Sequence, residues 1–353
     1  MEYSPDSTMT EVLTRIWQHL LQRSSIHVED NFFDLGGNPS LAIKLFTEIA
    51  IACSRELSPV VIFHAPTIMA LAALLESPSP PRFPAIVLLK AGTTEPPAFI
   101  AHGLGGSVME LFQLVECIRF EGPIYGMQAK GIDGVDQPID RIEDMAQFYL
   151  DEIKKLQPHG PYLLIGYSFG GLVMFEMARR LSQEREKVAL LTMVDTFPER
   201  RYLELEQRVR LIARLARRHA STIMRLPVRK AVSYIFRASD RQSSISIDAC
   251  LTPIGTSFAP AMQRVRDSAY LALKRYRPRF YSGKINFVRS ENSSELPADP
   301  AAVWAKLTNE LEVETVPGDH HGILTTHFES LASALSCYLK EAFGQIRRQH
   351  RRA

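Results

Sequence analysis

The sequence predicts an α/β fold, a mainly parallel sheet covered by helices, that follows a small all-helical bundle. Three observations predict it. Apolar residues recur at helical spacing through the first 76 residues. The proline-rich stretch SPSPPRFP at residues 77–84 cannot continue a helix. Beyond it, short apolar runs alternate with longer amphipathic ones, which is typical of a parallel sheet with helices on its faces.

The N-terminal region carries two apolar stripes at helical spacing, Leu13, Ile16, Trp17, Leu20 and Leu21, then Leu41, Leu45, Phe46 and Ile49. Thr67 is a predicted N-cap for the helical sequence IMALAALLE. We therefore interpret residues 1–76 as a helical bundle and 77–84 as a linker. Residues 85–345 then form the α/β unit, and 346–353 a basic tail.

Seven apolar runs in the α/β unit are predicted strands, beginning at Ile86, Ala98, Pro123, Tyr162, Ala189, Ile285 and Leu311. Helices are predicted at about 141–156, 171–183 and 323–342. No strand is predicted in residues 199–276, where the sequence is amphipathic and helical. A long helical insertion between two strands suggests a lid over an active site, and a helical decoration without a gating role is the alternative.

Composition and charge exclude several functions. The net charge of +2 over 353 residues gives no basic field for nucleic acid. The four cysteines lie far apart and form no C-x-x-C pair, so we expect reduced thiols and neither a metal site nor a disulfide framework. The start of the chain has no apolar signal region, and no stretch of 18 apolar residues follows. We expect a soluble cytoplasmic protein without a membrane partner.

The most informative motif is YLLIGYSFGG at residues 162–171. An apolar strand runs directly into Gly-x-Ser-x-Gly and then into a helical sequence. This is the context of a nucleophile elbow, in which small residues on both sides of the serine permit a sharp turn that exposes its hydroxyl. Ser168 is the predicted nucleophile.

A serine hydroxyl is a poor nucleophile at neutral pH, so the chemistry requires a histidine base held by a carboxylate. After an elbow the expected chain order is Ser, acid, His. Asp195 ends the apolar run ALLTMV and is the first candidate acid, with Glu291 after the next run as the alternative. His320 and His321 lie together beyond the last predicted strand, and only one of them can face Ser168.

The tetrahedral intermediate of acyl transfer needs two backbone N–H donors for its oxyanion, one from the residue after the nucleophile and one from an early loop. Phe169 follows the nucleophile and supplies the first donor. The glycine-rich turn in AFIAHGLGG, residues 98–106, supplies the second, for which we choose the amide of Leu104.

Most of residues 84–345 resembles the type I thioesterase domains of nonribosomal peptide and polyketide synthases. The resemblance rests on AHGLGG, YGMQAKGIDG, LQPHGPYLLIGYSFGG, MVDT and VPGDHHGIL in that order. It implies an α/β-hydrolase fold, Asp195 as the acid and His320 as the base. One position departs from the family pattern, since Gly103 stands where the family has proline.

Residues 8–76 resemble a carrier domain, through NFFDLGGNPSLAIKLF and FHAPTIMALAALL. The resemblance implies a phosphopantetheine arm on a serine that follows two glycines and a polar residue. Here Pro39 occupies that position, and the adjacent hydroxyl belongs to Ser40. Either Ser40 carries the arm after a shift of the turn, or the module is an unmodified docking domain. We favour the second, with catalysis itself needing no cofactor.

The sequence thus predicts a thioesterase that takes an acyl or peptidyl chain from a carrier protein or an upstream synthase module and releases it to water or to an internal nucleophile. A general carboxylesterase or lipase on the same fold is one alternative, and the carrier-like module argues against it. A catalytically idle docking protein is another. The combination of Ser168, Asp195 and His320 argues against that reading.

Overall fold

The computed structural model describes residues 8–55, 57, 59–78, 82–197, 260–292 and 301–350. Its N-terminal region is a bundle of helices, α1 Met9–Leu21, α2 Pro39–Cys53, a 3₁₀ helix Pro59–Phe63 and α3 Ile68–Glu76. Side chains cap the starts of these helices. Thr8 caps α1 in a capping box with Glu11, and Thr67 caps α3 as predicted.

The bundle encloses an apolar core, which includes the fully buried Leu13, Ile16, Trp17, Phe32, Leu45 and Ile49. Trp17 and Phe32 meet edge to face with ring centroids 5.1 Å apart. The apolar stripes in the sequence therefore correspond to the faces that pack together.

Seven strands of the described residues beyond the bundle form one sheet, with a strand at each of the seven predicted apolar runs. The strands are β1 Ile86–Lys90, β2 Ala98–Ala101, β3 Ile124–Met127, β4 Tyr162–Tyr167, β5 Val188–Val194, β6 Tyr281–Ser290 and β7 Thr308–Val316. Their order is β1-β3-β2-β4-β5-β6-β7. Only β1 pairs antiparallel, with β3, and the other pairs are parallel. The predicted α/β class is confirmed.

Helices cover both faces of this sheet. Those within the described ranges are a 3₁₀ helix Val108–Leu111, α4 Phe112–Cys117, α5 Ile142–Leu156, α6 Phe169–Gln183, α7 Pro260–Arg275, α8 Ala301–Trp304, α9 Gly322–Thr325 and α10 Phe328–His350. One apolar layer packs α5, α6 and α7 on the sheet, and the other packs α4 and α10. The central strand β4 is buried along its whole length. Ser168, the predicted nucleophile, directly follows this buried strand.

The C-terminal helix is longer than predicted. A short helix, α9, precedes it, and α10 continues to His350 through part of the segment expected to be a basic tail. Ile346 is buried and extends the apolar stripe of Leu339 and Phe343 at helical spacing, so the packed face does not end where basic residues begin.

The predicted lid at 199–276 is described in part. Residues 260–275 form α7, in agreement with the helical pattern, while residues 198–259 lie outside the described residues. Among the helices that the structure describes, none combines the length and apolar character needed to cross a membrane.

Candidate active site

Ser168 occupies a sharp turn between β4 and α6. Its backbone has φ 53° and ψ −117°, a conformation that a non-glycine residue rarely adopts, and its N–H donates to the carbonyl of Val194 at 2.7 Å. The turn requires glycine at position 166, because a Cβ there would lie 2.5 Å from the carbonyl oxygen of Gly170. The strand-to-helix context thus produces the predicted elbow.

Three side chains from different segments meet at this turn. His320 Nε2 lies 3.0 Å from Ser168 Oγ, and His320 Nδ1 lies 3.2 Å from Asp195 Oδ2. Asp195 is only 1% exposed. The three residues follow β4, β5 and β7, whose carboxyl ends share one edge of the sheet. A line of hydrogen bonds therefore joins the serine, the imidazole and the carboxylate.

The alternative acid and base are placed differently. Glu291 is exposed, and its backbone N–H donates to the carbonyl of Val316. In the described part of the chain it has no hydrogen bond to His320. The ring of His321 lies beside that of His320, with centroids 5.8 Å apart, but the nitrogen that reaches Ser168 belongs to His320.

Ser290, at the end of β6, holds the carboxylate of Asp195. Its N–H donates to Oδ1 at 2.7 Å, and its hydroxyl donates to Oδ2 at 2.5 Å. Sequence reasoning missed this residue because only the pairing of β5 with β6 brings it beside Asp195. Its position as the last residue of the strand next to the acid was the available signal.

Tyr167 holds the loop that carries His320, between β7 and α9. Its hydroxyl donates to the backbone carbonyl of His320 at 2.7 Å, and its ring stacks on the imidazole with centroids 5.1 Å apart. Burial raises the pKa of the Tyr167 hydroxyl well above its usual range, with further increases from the negative charges of Glu110, Asp195 and Asp319. The hydroxyl therefore stays protonated as a donor. The sequence shows Tyr167 only as a variable position of the elbow motif.

The two predicted oxyanion donors come from two separate segments of the chain. Phe169 is the first residue of α6, and Leu104 lies in the turn after β2. Within the described residues, neither amide N–H donates to a protein acceptor. Both donors are therefore available to a ligand.

Glu110 adds a titratable group that the sequence did not single out. Its Oε1 accepts the N–H of Gly103 at 2.5 Å, at the position where the family pattern has proline. Although Glu110 as a whole residue is exposed, burial around its carboxyl raises its pKa to about 7, while the Gly103 N–H and the charge of His320 act to lower it. The N–H that a proline would lack thus has a specific acceptor.

The helical bundle contacts the α/β unit near the predicted oxyanion loop, the glycine-rich turn at residues 102–106. Phe33 stacks on Phe112, the first residue of α4, with centroids 4.7 Å apart. Met109, Ile132 and Val265 of the α/β unit belong to the same apolar cluster as the bundle core. Phe33 immediately precedes the DLGGNPS sequence, so this contact lies close in sequence to the carrier motif.

The predicted attachment region starts helix α2. Asn38 is the N-cap and accepts the N–H of Leu41 at 3.0 Å, Pro39 is the first helical residue, and Ser40 is exposed behind it. Proline is tolerated at this first position because its missing N–H would be unpaired there. Within the described residues, no cluster of His, Cys, Asp and Glu could hold a metal ion.

Comparison with known proteins agrees with this architecture. A model of the thioesterase domain family matches residues 96–337, and a model of the phosphopantetheine attachment site family matches residues 11–75. The chain therefore belongs to the thioesterase domain family. It is a hydrolase that acts on thioesters, and a carrier domain of the phosphopantetheine-binding type precedes its catalytic domain.

Similar proteins include a nonribosomal peptide synthase and an indigoidine synthase. A dimodular nonribosomal peptide synthase of Bacillus subtilis is 37% identical over 195 residues, which is 55% of this chain and 8% of that protein. Indigoidine synthase of Dickeya dadantii is 36% identical over 191 residues, 54% of this chain and 13% of that protein. The chain thus spans a small fraction of these relatives.

Solved structures show the same fold. A four-domain nonribosomal peptide synthetase, holo-AB3403, covers 95% of this chain with a TM-score of 0.57 and 23% identity, over 26% of its own length. The type II thioesterase BorB covers 72% of this chain and 96% of itself, with a TM-score of 0.50 and 16% identity. The fold of the α/β unit is thus that of thioesterases.

Proposed function

We propose that the chain releases an acyl or peptidyl group from a carrier-bound thioester through a Ser168, His320 and Asp195 triad. The observation that carries this proposal is the line of hydrogen bonds from Ser168 Oγ through both nitrogens of His320 to Asp195. A carboxylate at Nδ1 keeps the proton on that nitrogen, so Nε2 is free to accept the serine proton.

In the first step, Ser168 Oγ attacks the thioester carbonyl while His320 Nε2 takes its proton. The carbonyl oxygen becomes negative and is stabilised by the N–H groups of Leu104 and Phe169. The carbon–sulfur bond then breaks, and the imidazolium returns the proton to the thiolate of the carrier arm. The result is an acyl-enzyme ester and a free thiol.

In the second step, His320 activates either water or a nucleophile of the bound chain itself. Its attack on the ester gives a second tetrahedral intermediate in the same oxyanion hole. Collapse returns the proton to Ser168 and releases a free acid in the first case or a ring in the second.

We further propose that residues 1–76 act as a carrier-like docking module, joined by a linker at 77–84 to a catalytic domain at 85–345. The stack of Phe33 on Phe112 supports this, because it brings the module against the helix next to the oxyanion loop. The acyl group reaches Ser168 from a separate carrier protein of a peptide or polyketide synthase. A free-standing lipase or esterase would have no use for this contact.

The test is turnover of an acyl thioester of N-acetylcysteamine by single variants of the full chain. Ser168→Ala should lose activity, and Asp195→Asn should lose about ten-thousandfold because the wrong imidazole tautomer is then favoured. Glu291→Gln and the exposed Ser282→Ala are matched controls and should keep wild-type rates. Activity retained in Asp195→Asn and lost in Glu291→Gln would transfer the acid to Glu291, and an active Ser168→Ala protein would overturn the mechanism.

A further inference from the structure

The peptide between Gly103 and Leu104 is anchored on its carbonyl side. The oxygen of Gly103 lies 2.5 Å from His102 Nδ1 and accepts the N–H of Gly106 at 3.3 Å. In a planar trans peptide, the carbonyl and the following N–H point in opposite directions. Fixing the oxygen of Gly103 therefore fixes the direction of the Leu104 N–H, the proposed oxyanion donor.

The partners of His102 define its tautomer. A carbonyl oxygen only accepts, so Nδ1 carries the proton, and Nε2 accepts the hydroxyl proton of Tyr149 at 2.9 Å. Both side chains are buried, at 3% and 2% exposure. Burial lowers the pKa of His102 to about 4, so the ring is neutral at neutral pH. The two residues thus form a neutral, directional pair beneath the loop.

The backbone of His102 also contacts helix α6, whose first residue, Phe169, is the other proposed oxyanion donor. A Cβ added to Gly170 would lie 2.3 Å from the carbonyl oxygen of His102, so the loop and the first turn of α6 are in close contact. Phe169, whose N–H is the other proposed donor, precedes this glycine. The backbone of His102 therefore packs against the first turn of α6, next to Phe169.

We propose that the buried His102–Tyr149 pair positions the Leu104 amide for the tetrahedral intermediate, so that Tyr149, on helix α5, contributes to the rate without contacting substrate. This rests on the proposed function, since it assumes an oxyanion at Leu104 and Phe169. The hydrogen bonds of the two side chains go to each other and to the loop backbone. Both are positioning residues.

The proposal predicts a loss in kcat with little change in KM, because the pair acts on the transition state. Removing a whole oxyanion donor costs about 100- to 1,000-fold. Misdirecting one donor costs less, and we expect about tenfold for Tyr149→Phe and about 100-fold for His102→Leu. His102→Asn retains an amide donor near the position of Nδ1 and should recover most of the loss.

The experiment measures kcat, KM and the dissociation constant of phenylboronic acid, whose tetrahedral adduct with serine presents an oxygen to the hole. Tyr162→Phe is the matched control, because it removes another buried tyrosine hydroxyl at the opposite end of β4. The proposal expects kcat and boronate affinity to fall together in Tyr149→Phe and to stay at wild-type values in Tyr162→Phe.

The outcome that overturns the proposal is a Tyr149→Phe protein with wild-type kcat and boronate affinity, whatever its thermal stability. Equal losses in His102→Asn and His102→Leu would also overturn it. If His102→Leu does not fold, Tyr149→Phe and His102→Asn still decide the question. Ser168→Ala measured alongside separates the two claims, since its activity tests the nucleophile alone.

Discussion

Asp195 lies at the carboxyl end of β5, where its two oxygens face three donors. Ser290 supplies two of them, and His320 Nδ1 is the third. The residue itself adopts φ 44°, a conformation that costs free energy in any residue but glycine and that the surrounding bonds maintain. A buried carboxylate with this set of donors cannot rotate freely. It therefore holds the imidazole in one orientation.

Glu110 should make stability depend on pH. Burial raises the pKa of its carboxyl to about 7 in the folded chain. The contribution of this group to the stability of the fold is therefore fully present below its usual pKa of 4.5 and is lost as pH rises through about 7. Glu110→Gln can still accept the Gly103 N–H but does not ionise. We expect the melting temperature of the variant, relative to wild type, to be higher at pH 8 than at pH 5.

Thermal unfolding of both proteins at the two pH values measures this effect. Solvent reaches Glu110 and reduces the size of this pH effect, so we predict only the direction of the change in melting temperature. Glu116→Gln, which removes an exposed carboxyl on the neighbouring helix, is the matched control. A Glu110→Gln difference that is equal at pH 5 and pH 8 would show that the carboxyl is not perturbed.

At the residue scale, the elbow motif predicts Ser168, and the end of an apolar run makes Asp195 a candidate acid. The resemblance to thioesterase domains then selects Asp195 as the acid and His320 as the base. Their supporting partners could not be predicted in the same way. Ser290, Tyr167 and Tyr149 act on residues that the fold brings beside them, and strand order and helix packing decide those contacts. Glu110 escaped notice because a single carboxylate in a helical pattern is usually a solvated residue.

At the scale of elements, the elbow depends on close contact between α6 and the end of β2. Gly170→Ala would place a Cβ 2.3 Å from the carbonyl oxygen of His102 and 2.7 Å from that of Ala101. Backbone atoms cannot yield as side chains do. We expect the free energy of unfolding to fall by about 3 kcal/mol, at the upper end for overpacking.

Urea denaturation measures this loss, and Gly344→Ala in α10 is its matched control. A Cβ at Gly344 meets nothing within 4 Å, so alanine should stabilise the helix by about 0.5–1 kcal/mol. Equal stability of the Gly170→Ala protein and wild type would mean that α6 and β2 are not in contact at this point.

Strands β2, β4 and β5 were predictable because buried parallel strands are continuous apolar runs. The starts of β6 and β7 were not, since β6 begins at Tyr281 and β7 at Thr308, before their apolar runs. The ends of helices were harder to predict from the sequence. The sequence predicts one helix where the structure has two, Gly322–Thr325 and Phe328–His350. The last turns of the second helix were not predicted because they contain several basic residues. Contacts from the rest of the fold, such as the burial of Ile346, decide these boundaries.

At the scale of the whole molecule, the bundle and the α/β unit share an apolar contact, centred on Phe33, Phe63 and Phe112. Two resemblances in the sequence predicted the two units. Their mutual arrangement was not predictable, because aromatic residues in a carrier-like helix pattern serve equally well in its core.

Delivery of the acyl group to Ser168 also depends on the whole molecule. Ser40 is exposed at the second position of α2, one residue beyond the position that the carrier pattern assigns to its serine. A shift of one residue rotates a helical side chain by about 100°. We therefore expect no arm on Ser40 when the full chain is incubated with coenzyme A and a promiscuous phosphopantetheinyl transferase. A mass gain of one arm that disappears in Ser40→Ala would make the module a working carrier.

The most direct measurement of the central claim is the intact mass of the full chain after brief incubation with an acyl thioester of N-acetylcysteamine and acid quenching. The proposed mechanism predicts a mass gain of one acyl group, located by peptide mapping on the segment that contains Ser168 and absent from Ser168→Ala. An acyl group of equal occupancy in Ser168→Ala, or turnover of that variant at the wild-type rate, would contradict it.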